Sequence, residues 1–230
     1  VQRLPIESIS QASANQRAGR CGRIAPGTCF RLYTKTDYDF FSDFTDPEIL
    51  RTSLASVILK MLDLGLGRIE EFSFVDRPDS RLISDGYQLL HELRAINSNK
   101  KLTRVGRSIV RFPIEPRLAI MLLEASRLKV LNEVLIIVAG LSIQNPVISQ
   151  KKQEHDLSFI NQCRHWRSDF ISVLNLWNAL NRQSEANSRS KFVKFCKRNN
   201  ISYVRFIEWC DLVSQLKELL LSLGYSLEKY

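Results

Sequence analysis

The sequence predicts a mainly α-helical protein built in three blocks, and three observations carry that expectation. Residues 1–42 hold a β-α-β pattern too short to be a whole domain. Residues 43–101 hold two amphipathic helical stretches and a polar turn, and from 102 to 230 the apolar spacing is helical throughout. With 44% apolar and 25% charged residues the composition is globular, and 230 residues suffice for one to three packed units.

Each element has a local cause. "VQRLPIESI" (1–9) and "TCFRLYT" (28–34) alternate apolar and polar residues as strands do, with a helix expected over 11–22 between them. "FTDPEILRTSLASVILKMLDLGLG" opens on Asp46 as N-cap with Pro47 at the first helical position, and stops at Gly65 or Gly67. Leu50, Leu54, Val57 or Ile58, Met61 and Leu62 line its apolar face. A second helix over 80–95 leads into "NSNKKLT", the tip of a small β-wing, so the block reads as a winged helix. Beyond it, "LTRVGRSIVRF" stops at Phe112-Pro113, and "EPRLAIMLLEASRL" restarts with Pro116 in its first turn. "LNEVLIIVAGLSI" is apolar almost all round and predicts a buried helix. A polar loop, "QNPVISQKKQEHD", precedes helices at about 167–182, 189–199 and 201–223. The last carries Val204, Ile207, Leu212, Leu216, Leu219, Leu220 and Leu223 at helical spacing.

Several function classes are excluded at this level. The longest apolar run, "VLIIVAGL" at 134–141, is far short of the roughly 20 residues that span a bilayer, and no signal-peptide pattern opens the chain. A soluble, cytoplasmic protein is expected. The five cysteines (21, 29, 163, 196 and 210) include no Cys-x-x-Cys pair, so reduced thiols are expected, with no disulfide framework and no metal. Cys163 and His165 lack a second ligand pair. His91 reads as packing or surface, and Glu115 and Asp156 have no partner for acid/base work.

The net charge of +9 is unevenly placed: +3 over 1–42, +1 over 43–150, +7 over 151–205 and −2 over 206–230. A basic segment with aromatic residues among its charges points to a polyanion, with Arg164, Arg167, Lys191, Lys194, Lys197 and Arg198 as candidate phosphate contacts. The plainer reading of the same charges is a solvated helical surface. Trp166, Trp177 and Trp209 could stack bases, but at helical spacing among Leu and Phe they read as core.

The densest motif is "ANQRAGRCGR" (14–23), three arginines and a glutamine interleaved with glycines. On a helix over 11–22, at 100° per residue, Gln16, Arg20 and Arg23 fall at about 0°, 40° and −20°, one stripe, while Arg17 points elsewhere. Gly19 and Gly22 permit close approach of a ligand or backbone, at about 1 kcal/mol each in helix stability. Two guanidiniums beside a glutamine suit a site where charge develops on a transferring phosphoryl group, because the planar fork grips two oxygens at once. The alternative is a surface helix with solvated or carboxylate-paired arginines.

"ASANQRAGRCGR" resembles motif VI of the superfamily 2 helicases in their DEAH/RHA form, and "GTCFRLYT" and the 44–67 stretch are similar to the segments C-terminal to that motif in the same family. The resemblance continues through "LISDGYQLLHELRAI", "KLTRVGRSIVRFPIEPRLAIMLLEA" and "LIIVAGLSIQNP", then "SDFISVLNLWNAL" and "YVRFIEWCDLVSQL". It is nearest the bacterial HrpA-type RNA helicases and weakest over 151–165.

The resemblance implies the end of a second RecA-like domain at 1–42, a winged-helix domain at 43–101 and a helical ratchet (HA2) domain at 102–230. It implies that Gln16, Arg17, Gly19, Arg20 and Arg23 face ATP, with Gln16 placing the γ-phosphate or attacking water. Arg20 and Arg23 would act as arginine fingers, and Arg17 would support the domain interface. It further implies Mg²⁺ with the ATP and 3′-to-5′ movement on single-stranded RNA, the ratchet lining its channel. No G-x-x-x-x-G-K-[ST] loop and no Asp-Glu-Ala-His box occurs in the 230 residues. A helicase fragment is therefore expected, inactive alone, whose partners are the N-terminal RecA-like domains and a C-terminal OB-fold. The competing expectation is a stand-alone RNA-binding or regulatory module without a motor, which would have no use for Gln16, Arg20 and Arg23 together.

Overall fold

The computed structural model describes residues 9–22, 24–45, 54–148 and 158–227. Among them lie α1 (Gln11–Ala18), α2 (Lys35–Asp39), α3 (Ala55–Asp63), α4 (Ser80–Glu92), α5 (Arg104–Ile109) and α6 (Pro116–Arg127). The series continues with α7 (Leu131–Ser142), α8 (Ser158–Cys163), α9 (Asp169–Ala186), α10 (Arg189–Arg198) and α11 (Tyr203–Ser222). The architecture is mainly α, and β pairing among the described residues is limited to isolated antiparallel bridges, Ile96 with Leu102 and Val147 with Ile201.

Residues 9–45 fold back on themselves. Ser10 caps α1, its Oγ accepting from the Ser13 amide at 3.1 Å, and Thr45 Oγ1 donates to the same oxygen at 2.9 Å. The amides of Gln11 and Ala12, orphaned at the helix start, donate to the carbonyls of Ser42 and Asp43 at 2.8 and 2.9 Å. Thr34 and Asp37 form a reciprocal capping box on α2.

Two expectations are corrected here. The strand anticipated at 28–34 is irregular: no backbone partner pairs with it among the described residues, and alternation alone cannot hold a strand without a ladder. The helix anticipated over 11–22 stops at Ala18, because Arg20 and Cys21 donate back only three residues, to Arg17 and Ala18. Gly22, at φ +87°, then turns the chain away. The strand expected at 1–9 lies almost wholly outside the described residues, as do Asp46, Pro47 and Leu50.

From Leu54 onward a continuous apolar core runs to Leu220. In the second block α3 packs on α4 through Ile58, Met61, Ile83, Tyr87 and Leu90. Their crossing is close enough that a Cβ on Gly86 would stand 2.8 Å from Ile58 Cδ1. The expected wing is reduced to a tight hairpin whose flanks share the single Ile96–Leu102 bridge, with Asn97 Oδ1 accepting from the amides of Asn99 and Lys101. Glu70 fastens this hairpin to α4 by accepting from Lys100 Nζ at 2.7 Å and Tyr87 Oη at 3.1 Å.

The helix stops share one device. After α3, α4, α6, α10 and α11 a residue at positive φ is succeeded by one whose amide donates five residues back, the Schellman arrangement. Gly65, one of the two glycines expected to end α3, and Gly224 occupy that left-handed position, but Arg94, Lys129 and Asn200 occupy it too, at φ 53°, 61° and 55°. Ala95 and Ile201, the residues after two of them, are buried, and burial of that residue offsets the strain of a left-handed side chain.

In the third block α6 and α7 pair, and α7 packs on α9 and α11. Trp209 is the key of this packing: 1% exposed, it donates from Nε1 to the Ile136 carbonyl at 3.0 Å. Gly140 leaves room for its ring, since a Cβ there would lie 2.6 Å from Trp209 Cζ2. The inward face of α11 is Phe206, Trp209, Leu216 and Leu220, so Val204 and Ile207, expected in that stripe, face outward. Helix α8 replaces part of the stretch for which no element was anticipated, and Phe159 on it meets Phe195 on α10 edge-on at 5.0 Å.

Candidate functional site

The motif segment presents its polar side chains outward. Gln16, Arg17, Gly19 and Arg20 are all exposed, and the three side chains make no hydrogen bond or ion pair with a described residue. Only Ala14 of this helix is buried. The expected common stripe of Gln16 and Arg20 is not made by continuous helix, because Arg20 sits in the turn after Ala18; Arg23 lies outside the described residues. A Cβ at Gly19 would touch only carbonyls of its own helix, at 3.4 and 3.7 Å, so its outer side is open to an approaching group.

A residue of this segment not singled out from sequence organises it. Asn15 Oδ1 accepts from Arg31 Nη2 at 2.9 Å and from Tyr38 Oη at 3.0 Å, with the Arg31 guanidinium 4.7 Å from the Tyr38 ring centre. Asn15 thereby engages Arg31, a neighbouring cation, and leaves Arg17 and Arg20 outward. Its place beside Gln16 inside the motif was the available signal. The Thr34 hydroxyl and amide hold the Asp37 carboxyl below its usual range, so Asp37 stays anionic on α2.

The six basic candidates of the third block are all exposed. Arg164 and Arg167 lie in the turn between α8 and α9, and Lys191, Lys194, Lys197 and Arg198 ride the outer side of α10, whose Phe192 and Cys196 face inward. Both α8 and α10 pack on α9, and the Phe159–Phe195 contact joins them directly. The fold thus assembles the basic residues on adjoining elements.

The tryptophans divide. Trp209 is core and Trp177 half-buried against it, rings 5.0 Å apart, but Trp166 is 80% exposed, against the expectation that it packs inside. Burial pushes the Cys196 thiol up to about 11 and raises that of Cys163, so both are protonated near neutrality. His165 Nδ1 accepts from the Arg167 amide at 3.3 Å.

Residues 115–202 match the helicase associated domain (HA2), ratchet-like. The match starts at the N-cap of α6 and ends at the N-cap of α11, so it encloses α6 to α10 with the basic surface. The ATP-dependent RNA helicase HrpA of Escherichia coli (strain K12) is 47% identical over 97% of this chain. Over nearly its whole length the chain is thus similar to one segment of the HrpA-type DEAH/RHA helicases. Its HrpA homologue relative in Haemophilus influenzae (strain ATCC 51907 / DSM 11121 / KW20 / Rd) is 47% identical over 94% of the chain. The human probable ATP-dependent RNA helicase DHX34 is 34% identical over 96%. The chain spans 18%, 17% and 19% of those three relatives, under a fifth of each. No helix among the described residues is long and apolar enough to cross a membrane.

Proposed function

We propose that this chain supplies the nucleotide-sensing motif and part of the RNA path of a cytoplasmic ATP-dependent RNA helicase that moves 3′ to 5′. The observation that carries the reading is the outward set Gln16, Arg17 and Arg20, unpartnered among the described residues, on a segment whose backbone is tied at both ends. Helix stability gains nothing from such a set, whereas phosphoryl oxygens need it.

The chemistry fits the residues. ATP and Mg²⁺ are held mainly by a phosphate loop and an acidic box, neither present in these 230 residues. Gln16 orients the γ-phosphate or the attacking water, and Arg20 and Arg23 neutralise charge that develops on the transferring group. Arg17 braces the interface between RecA-like domains, and Gly19 keeps the approach open. Residues 43–101 act as a winged-helix hub between the RecA-like and ratchet domains; the net charge of only +1 over 43–150 argues against independent DNA reading. The ratchet lines the channel, with Arg164, Arg167 and the α10 cations along the RNA backbone. The partners in this reading are single-stranded RNA, the RecA-like domains and an OB-fold.

The deciding experiment is Arg20→Ala in a helicase that contains this segment together with a phosphate loop and acidic box. RNA-stimulated ATP hydrolysis should fall by about a thousandfold, the lower end of arginine-finger effects. An unchanged rate overturns the assignment. The 230-residue chain alone should hydrolyse no ATP; turnover by pure material that disappears with Arg20→Ala would refute that. One observation favours a motorless RNA-binding or regulatory module instead: the core from Leu54 to Leu220 draws no buried residue from 9–45. Unimpaired ATP turnover in that Arg20→Ala helicase, with RNA binding retained by the isolated chain, would select the module.

A further inference from the structure

We infer that Trp166 and Arg167 form a stacking platform for one unpaired nucleobase of single-stranded RNA; this rests on the RNA reading above. Trp166 is 80% exposed, and the Arg167 guanidinium carbon sits 4.1 Å from its ring centre. A solvent-facing indole of this size forfeits the burial that other tryptophans of the chain obtain.

The turn that carries it is held in place. Asn175 Nδ2 donates to the Cys163 carbonyl at 3.2 Å, and the His165 amide donates to Ser172 Oγ at 2.8 Å. Both anchors come from α9, and Cys163 is itself buried. Trp166 therefore projects from a fixed backbone, so ordering it on a ligand costs little.

Charge selects the occupant. Arg164 and Arg167 flank the indole, and residues 151–205 carry a net +7. An apolar protein partner would have to desolvate those guanidiniums, whereas a polynucleotide offers a π face for the ring and phosphates for the cations. Every base has such a face, so the platform recognises single strands without sequence preference. Paired bases, already stacked within a duplex, cannot occupy it.

The test uses the whole chain and 5′-labelled oligouridylate at low salt, read by fluorescence anisotropy. Trp166→Ala should weaken binding about tenfold, while Trp166→Phe, which keeps a ring, should weaken it less than threefold. The second readout is acrylamide quenching of tryptophan emission: oligouridylate should protect a strongly quenched component that Trp166→Phe lacks. Equal affinity for Trp166→Ala and wild type, or quenching unaffected by oligouridylate, overturns the platform. If Trp166→Ala binds normally while alanine at Lys191, Lys194 and Lys197 abolishes binding, the RNA reading stands and the platform alone falls. No oligouridylate binding by the wild-type chain refutes both, as does a protein partner that binds through Trp166 in place of RNA.

Discussion

The segment 9–45 and the body from Leu54 to Leu227 solve opposite problems. The body is held by one apolar core, with Phe192, Phe206, Trp209 and Leu220 fully inside. The segment spends its order on polar ties, with Ser10, Asn15, Thr34 and Thr45 holding the chain in place. Meanwhile Phe30 and Leu32 stand 85% and 98% exposed, with no described residue over them. Apolar packing resists substitution, and a hydrogen-bonded frame around an open cationic surface leaves side chains available for a ligand. A residue's contribution to stability and its contribution to function should accordingly separate along the chain.

The largest effect should come from Trp209→Ala, which empties the space between α7, α9 and α11 and removes the bond to the Ile136 carbonyl. Urea denaturation should register a loss of about 3–5 kcal/mol. A loss below about 1 kcal/mol would erase the contrast, since the core would then be as tolerant as the segment.

A smaller effect is expected at the hairpin latch. Burial raises the Glu70 carboxyl, but bonds from Lys100 and Tyr87 outweigh it and leave the group below its ordinary 4.5. Tyr87 is pushed up to about 12 by burial and the Glu70 charge, and stays a donor. A lowered folded-state value means the contribution is present above pH 4.5 and lost as pH falls through the folded value. Glu70→Gln should therefore cost at most about 1 kcal/mol near neutrality, because the Glu70 and Lys100 side chains remain substantially solvated. That deficit should shrink on acidification, measured as the gap between the two thermal midpoints from pH 7 to pH 3.

Arg94→Gly should do the reverse. Removing a side chain from φ 53° relieves left-handed strain, and the exposed arginine has little packing to lose. A gain of about 0.5 kcal/mol is expected in the urea midpoint, the strain relief being partly offset by glycine's extra freedom in the unfolded chain.

The smallest stability change should be Arg20→Ala, within about 0.5 kcal/mol, as for an exposed residue with no partner among the described residues. A larger loss in the same denaturation series would mean that Arg20 supports the fold, and the separation between the two regions would break down.

Legibility followed the same division. In the body, apolar spacing marked α3, α4, α6 and α9 to α11, since packing against a core repeats at the helical period, while α7 was marked by being apolar almost all round. Spacing failed where a helix meets neighbours on more than one side: on α11 the deep residues are Phe206 and Trp209, selected by α7 and α9 around them. In the segment, residue types pointed to phosphate chemistry, while the alternation at 28–34 promised a strand that has no pairing partner among the described residues.

The sequence by itself determined the mainly helical architecture, the motif residues Gln16, Arg17 and Arg20, and the glycine stop after α3, because periodicity, side-chain chemistry and backbone freedom are local properties. Tertiary structure decided where Arg94, Lys129 and Asn200 turn left-handed. It also decided which tryptophan is core and which is surface, and that α8 and α10 bring separated cations onto adjoining elements. Those outcomes depend on which side chains are buried next to one another, and burial is a property of the packed chain.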